Sequence, residues 1–365
     1  MNSLLMRYRS VVLGLGLVVV LGACTEGGGE TTTTPDSEGS TTAPATTEGP
    51  GATPAPTSGP DSGDQLKIIF TVHAGSANAF FQSVKNGLDD ACELVNADCQ
   101  MLFAPTDGDV PGLVSNFQAA IAQSPDMIIT AIPDNDALDA VVQEAVDAGI
   151  TVIASNVDDL EGAAGNARDA FVGQNFVTAG SVLAARLAEQ FPSSGAVKVL
   201  IGVNAPDNNW SRARADGVIA GLEAWQAANP DRDITWEEID AGFDYAITGD
   251  RFGNYLTATP DLTAYFDTGF WDYAASTVLK DRGIAPGDVL LGGFDLVPDV
   301  LTAMQEGYIQ ITVDQQPYLQ GYAPVMQAPL IKYYKMAPFD VDTGNAVVTP
   351  DQADDIIQLA KDGYR

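Results

Sequence analysis

Asparagine, aspartate, glutamine and arginine side chains recur through this sequence just after short apolar runs, often beside an aromatic ring. "VHAGSANAFF" (Val72 to Phe81) supplies His73, the one histidine of the chain, together with Asn78, Phe80 and Phe81. "SNVDD" supplies Asn156, "NAPDNNWSRAR" supplies Arg212 and Arg214, and "DTGFWD" supplies Phe270 and Trp271. "GGFD" ends in Asp295 and "DQQPY" contains Gln315, while "IPDND", "GQN" and "AGFDY" offer further polar and aromatic groups. Planar amide, carboxylate and guanidinium groups can each bond two neighbouring hydroxyls, and charged partners make the stronger bonds. Aromatic faces can cover C–H surface. The inventory suits a small neutral polyhydroxy molecule held in a pocket with apolar walls and a few convergent polar groups.

Each of these residues also has a plainer role open to it. Asn78 can cap the helix that follows, a job compatible with touching a ligand. Asp295 can serve a turn, and Phe270 and Trp271 can be core. Phe80 and Phe81 are adjacent, so one can face the core while the other lines a cleft. Arg212 fits a surface position; Arg214, two residues on, points elsewhere on a helix and is the stronger site candidate. Catalytic alternatives are short of residues. One histidine allows neither a multi-histidine zinc site nor an HExxH pair, and no G-x-S-x-G elbow or P-loop is present. "DGD" and "DND" lack the glycine and terminal glutamate of a calcium loop and read as turns. No metal or cofactor is expected. A two-carboxylate glycosidase stays open on composition alone, because acids are plentiful.

The elements that must position these groups alternate along the chain. Strands are expected at "LKIIFTV", "CQMLFA", "DMIITAI", "ITVIAS", "DAFVG", "VKVLIGV", "ITWEEID", "LTAYFDT", "DVLLGGF" and "IQITVD". Helical patterns separate them, among them "NAFFQSVKNGLDDACELV", "DALDAVVQEAVDAGI", "TAGSVLAARLAEQF" and "SRARADGVIAGLEAWQAA". Several strands are continuously apolar, as in parallel sheets covered by helices on both faces. The reading is α/β, and this many strands exceed one comfortable sheet, so two similar Rossmann-like lobes are expected. In such sheets ligands sit beyond the carboxyl ends of the strands, where the polar stretches lie.

The chain opens with Arg7 and Arg9 ahead of an apolar stretch, "VVLGLGLVVVL", too short to span a bilayer as a stable helix. It reads as an export signal over residues 1–23. "LGAC" ends at Cys24 and is similar to the lipobox of bacterial lipoproteins, whose cysteine carries a diacylglyceryl group. Residues 24–64 then hold no apolar side chain larger than alanine, apart from the lipidated cysteine itself, and read as a solvated Thr/Pro/Gly tether. The expected location is the outer face of a bacterial cytoplasmic membrane, anchored by lipid. Outside the cell Cys92 and Cys99 are expected to form a disulfide closing a small loop. With 17 basic against 49 acidic residues and a net charge of −32, the chain is poorly suited to nucleic acid.

At this point the stretches match a known pattern. The exported part resembles the ribose-binding-protein-like, type I periplasmic binding proteins that serve ABC sugar importers, from Leu66 to about Pro350. "NAFFQSVKNG" stands for that family's N-P-F-F opening and "SRARADG" for its R-x-R-x-x-G segment, followed by "GGFD" and by "TVDQQPYLQG" at the hinge. The resemblance implies two lobes joined by a three-crossing hinge, with crossings near Gly173–Asn175, Asp314–Gln316 and Gly344–Ala346. Lobe 1 would hold residues 65–173 and 316–345, and lobe 2 residues 174–315 and 346–365. His73, Asn78, Phe80, Phe81 and Asn156 would meet the ligand from lobe 1. Arg214, Phe270, Trp271 and Asp295 would meet it from lobe 2, with Gln315 at the hinge. Asn156 is followed by Val157 where the family often has Asp-Arg, and Gly269 stands where an asparagine is frequent. The cargo would be a monosaccharide or sugar alcohol, the further partner an ABC transporter permease, and the protein a non-enzymatic monomer. The alternatives are a binding protein for a furanose-like signal or nucleoside and, in another class, an anchored glycosidase.

Overall fold

The computed structural model describes residues 65–365. The expected leader (1–23), the expected lipidation site Cys24 and the expected tether (24–64) lie outside the described residues.

The ten expected strands are all present, as β1 (Lys67–Val72), β2 (Asp98–Phe103), β3 (Met127–Thr130), β4 (Thr151–Asn156), β5 (Ala170–Gly173), β6 (Val197–Val203), β7 (Ile234–Asp240), β8 (Ala264–Asp267), β9 (Leu290–Phe294) and β10 (Ile311–Asp314). Two short strands join them, β11 (Val341–Asp342) and β12 (Ala346–Val348). They form two six-stranded sheets of matching order, β11-β5-β4-β3-β1-β2 and β12-β10-β9-β8-β6-β7. Every pairing is parallel except β10 with β12, which is antiparallel. β3, β8, β9 and β10 are buried along their whole length, in keeping with their mostly apolar sequences.

Helices cover both faces of each sheet: α1 (Ala79–Val95), α2 (Val110–Ile121), α3 (Asp139–Asp147), α4 (Phe176–Ala188), α5 (Asn209–Ala228), α6 (Tyr245–Ala258), α7 (Asp272–Asp281), α8 (Pro298–Gln305), α9 (Pro317–Tyr334) and α10 (Ala353–Lys361). The chain passes from the first sheet to the second between β5 and β6, returns after β10, and passes again between β11 and β12. In each lobe the helix after the first strand of that lobe packs on the helix that leaves the hinge, α1 (after β1) on α9 and α5 (after β6) on α4. Both pairs meet at glycines. A Cβ at Gly87 would run into the Tyr318 carbonyl and one at Gly321 into that of Val84; Gly217 and Gly180 stand likewise against Val177 and Arg214 carbonyls. Only glycine permits backbones this close.

Cys92 and Cys99 are disulfide-bonded, their Cα atoms 6.2 Å apart, tying the end of α1 to β2.

Candidate ligand-binding cleft

The carboxyl ends of β1, β4, β6, β8 and β9 from the two lobes face one another across a cavity of about 440 Å³, counting its mouth. All ten sequence-nominated residues line it: His73, Asn78, Phe80, Phe81, Asn156, Arg214, Phe270, Trp271, Asp295 and Gln315. Phe176, Trp210 and Phe243 line it as well, together with Ala74 and Gly269. The sequence reading passed over these three rings. Phe176 directly follows "GQN", Phe243 lies inside "AGFDY", and Trp210 precedes Arg214 by one helical turn, so a helix-face argument would have found Trp210.

On the lobe 1 side, Asn78 caps α1, accepting from the backbone N–H of Phe80 (3.1 Å) and Phe81 (3.4 Å), and its amide donates to Asp107 (3.2 Å). The cap fixes the direction of the first turn and so places both phenylalanine rings, which meet edge-on with centroids 5.1 Å apart. Both rings are buried in the lobe 1 core and both line the cavity, so they are not divided between the two roles. His73 meets Phe81 edge-on, and its Nδ1 has no hydrogen-bond partner. Burial pushes its pKa down to about 4, so the ring is neutral at physiological pH.

Arg214, Asp295, Gln315 and Asn156 form the polar part of the lining. Arg214 is 2% exposed; it donates to the Thr268 carbonyl (2.9 Å) and to Gln174 Oε1 (3.2 Å). Its guanidinium lies over the Phe294 and Phe176 rings, 4.0 and 4.8 Å from their centroids, and its Nε is unpartnered. Burial lowers its pKa to about 10, opposed by Asp295 and Asp267, and it stays cationic at neutral pH. Arg212, by contrast, lies at the surface in ion pairs with Asp216 and Glu238. Asp295 accepts from Gln315 Nε2 at 2.6 Å; burial raises its pKa and the nearby Arg214 draws it back down. Gln315 Oε1 in turn accepts from Asn156 (3.4 Å) and Gln320 (3.1 Å), which joins both lobes and the hinge in one network.

Aromatic rings supply much of the remaining lining, and Trp210 lies 5.7 Å from the Arg214 guanidinium. Phe270 stacks on Trp271 with centroids 4.3 Å apart, Phe243 lies 4.7 Å from Trp271, and Trp210 stacks beyond at 6.3 Å. The turn carrying the Phe270–Trp271 pair is set by buried Asp267. Its carboxylate accepts from Gly269 N (2.9 Å), Tyr265 Oη (2.6 Å) and Asn204 Nδ2 (3.3 Å). Asp295 is the single carboxylate among the residues lining the cavity, so the paired carboxylates of a glycosidase are not assembled here. Among the described residues no three His, Cys, Asp or Glu side chains stand together as a metal-ligand set.

Residues 68–331 match the family model of the periplasmic binding protein domain. The chain belongs to this family. Among proteins of known role, this periplasmic binding protein is similar to the xylose/arabinose-binding protein XylF of Sulfolobus acidocaldarius. The two are 28% identical over 297 residues, covering 78% of this chain and 71% of the relative. A periplasmic sugar-binding protein of an ABC sugar transporter from Legionella pneumophila has a similar structure, with TM-score 0.70 and 25% identity, covering 77% of this chain and all of the other (100%). So has an ABC transporter periplasmic solute-binding protein from Actinobacillus succinogenes 130z, solved with bound D-allose. Its TM-score is 0.69 and its identity 25%, covering 80% of this chain and 100% of that one. In this periplasmic binding protein the two lobes touch, since the Phe243 ring of lobe 2 reaches the Gly108 loop of lobe 1.

Proposed function

We propose that the protein is an extracytoplasmic, lipid-anchored substrate-binding protein of an ABC importer, and that it closes its two lobes over one monosaccharide or sugar alcohol. The observation that carries this reading is the make-up of the cleft lining. A buried set of Arg214, Asp295, Gln315 and Asn156 shares it with a set of stacked rings. The first offers bidentate partners to vicinal hydroxyls and the second a face for ring C–H groups. The similar proteins of known role that bind xylose, arabinose or D-allose support the same ligand class. His73, Asn78, Phe80, Phe81, Asn156, Phe270 and Trp271 complete the contact set in this reading. Cys24 carries the anchor, a permease recognises the closed shape, and the working unit is a monomer. Because Arg214 and Asp295 come from lobe 2, the ligand gains them only on closure, and that difference is what shifts the equilibrium.

The test is a thermal-melt screen of the protein lacking its leader against pentoses, hexoses, polyols, nucleosides and amino acids. A ligand at a thousandfold its dissociation constant adds ~4 kcal/mol of stability, several degrees in a protein of this size. A shift with a sugar or polyol is the expected result and names the cargo. A shift with nucleosides alone, or none across the sugars, overturns the ligand class.

A further inference from the structure

Asn209 does not line the cavity. It nevertheless sets its backbone N–H and side-chain amide against four acceptors of the opposite lobe. Its backbone N–H donates to the Pro133 carbonyl at 2.9 Å. Its side-chain amide reaches the Ile132 carbonyl (3.2 Å), Asn135 Oδ1 (2.8 Å) and the Asp158 carbonyl (3.3 Å). The residue is 8% exposed.

These bonds follow from where Asn209 stands. It is the first residue of α5, and the opening N–H groups of a helix have no partner inside it. The preceding Asn208 makes no side-chain cap. Lobe 1 supplies the acceptors instead, from the loops after β3 and β4. Those loops are held together, since Asn135 Oδ1 also accepts from Leu160 N at 2.9 Å. Trp210, the next residue, packs in the same cluster as Ala131 and Val157 of lobe 1. When the lobes part, every one of these contacts is exchanged for water.

We infer that Asn209 is a positioning residue, a latch that raises the population of the closed form whatever occupies the cleft. Apparent affinity scales with the fraction of molecules already in the binding-competent form. The latch therefore tightens binding of every ligand by one common factor, unlike Arg214 or Asp295, which face the ligand itself. The inference rests on the hinge-closure reading above; the sugar class enters only through the probes.

The test compares the parent with Asn209→Ala, Asn209→Asp and Asn135→Ala. Small-angle scattering of the unliganded proteins reports lobe closure. Titration with D-xylose, L-arabinose, D-allose and myo-inositol reports affinity. Asn209→Ala is expected to expand the unliganded protein and to weaken each probe that binds the parent by the same factor, about tenfold, mainly through faster dissociation. Asn209→Asp should do worse, because its carboxylate would face three acceptor oxygens, and Asn135→Ala should show a smaller effect in the same direction. Unchanged scattering overturns the latch. So does a loss whose size differs from probe to probe, which would make Asn209 a ligand contact. If the melting curve shows Asn209→Ala unfolded, Asn135→Ala decides by the same criteria. If no probe binds the parent, the ligand class fails while scattering still tests the latch.

Discussion

Asn156 and Asp295 share an uncommon backbone conformation, with φ of 72° and 70°. Asn156 ends β4 and Asp295 directly follows β9, the corresponding strands of the two sheets, and both present polar groups to the cavity. Asparagine and aspartate are among the few side chains that tolerate this region, so one property suits them both to the turn and to the cleft. Asp295 thus fills the turn role and the site role together. Truncating it removes Gln315's acceptor and leaves Arg214 without its nearest counter-charge. Asp295→Ala is expected to cost ~2–5 kcal/mol of ligand binding by calorimetric titration and to lower the melting temperature of the unliganded protein, since alanine is strained at this φ and Gln315 loses its acceptor. Arg214→Ala should cost as much binding and lower the melting temperature too, because the guanidinium also holds Gln174 and the Thr268 carbonyl. The candidate residues were legible because two-pronged polar groups after apolar runs are visible in one dimension. Asn209 was not, because its acceptors lie 51 to 77 positions away and meet it only when the lobes close.

At the scale of elements, two glycine-lined helix crossings set the shape of each lobe. "NAFFQSVKNG" and "SRARADG" end in Gly87 and Gly217, and both glycines mark where a helix backbone meets its partner. An alanine at Gly217 would gain up to ~1 kcal/mol of helix propensity. It would also drive its methyl group into the Val177 carbonyl, a backbone atom that cannot swing aside. The clash should win. Gly217→Ala is expected to lose ~1–3 kcal/mol in urea denaturation, whereas an exposed helical substitution such as Glu223→Ala should change little. The first ten strands could be read from their apolar runs. β11 and β12 span two and three residues, and their only signature is pairing with strands far away in sequence, so no local pattern announces them. The antiparallel β12 is for that reason the one departure from the expected parallel sheets.

Across the whole molecule, the chain carries a net charge of −32. Most of its ion pairs are surface pairs that contribute little individually. Self-repulsion therefore opposes the compact state, and salt should relieve it. Raising sodium chloride from about 10 to about 150 mM shortens the screening length from roughly 30 to 8 Å and is expected to raise the melting temperature. A fall would show that attractive pairs outweigh the repulsion. The chain's path between the sheets has a different consequence, one of timing. α9, which covers the apolar face of α1 around Val84 and Leu88, follows β10 of the second lobe. A chain emerging from its amino end therefore makes four of the five neighbouring parallel strand pairs of the first lobe, yet leaves α1 uncovered until Pro317–Tyr334 arrive. The first lobe is begun first yet completed only after the strands of the second lobe through β10 exist, so its α1 face waits on that lobe's synthesis.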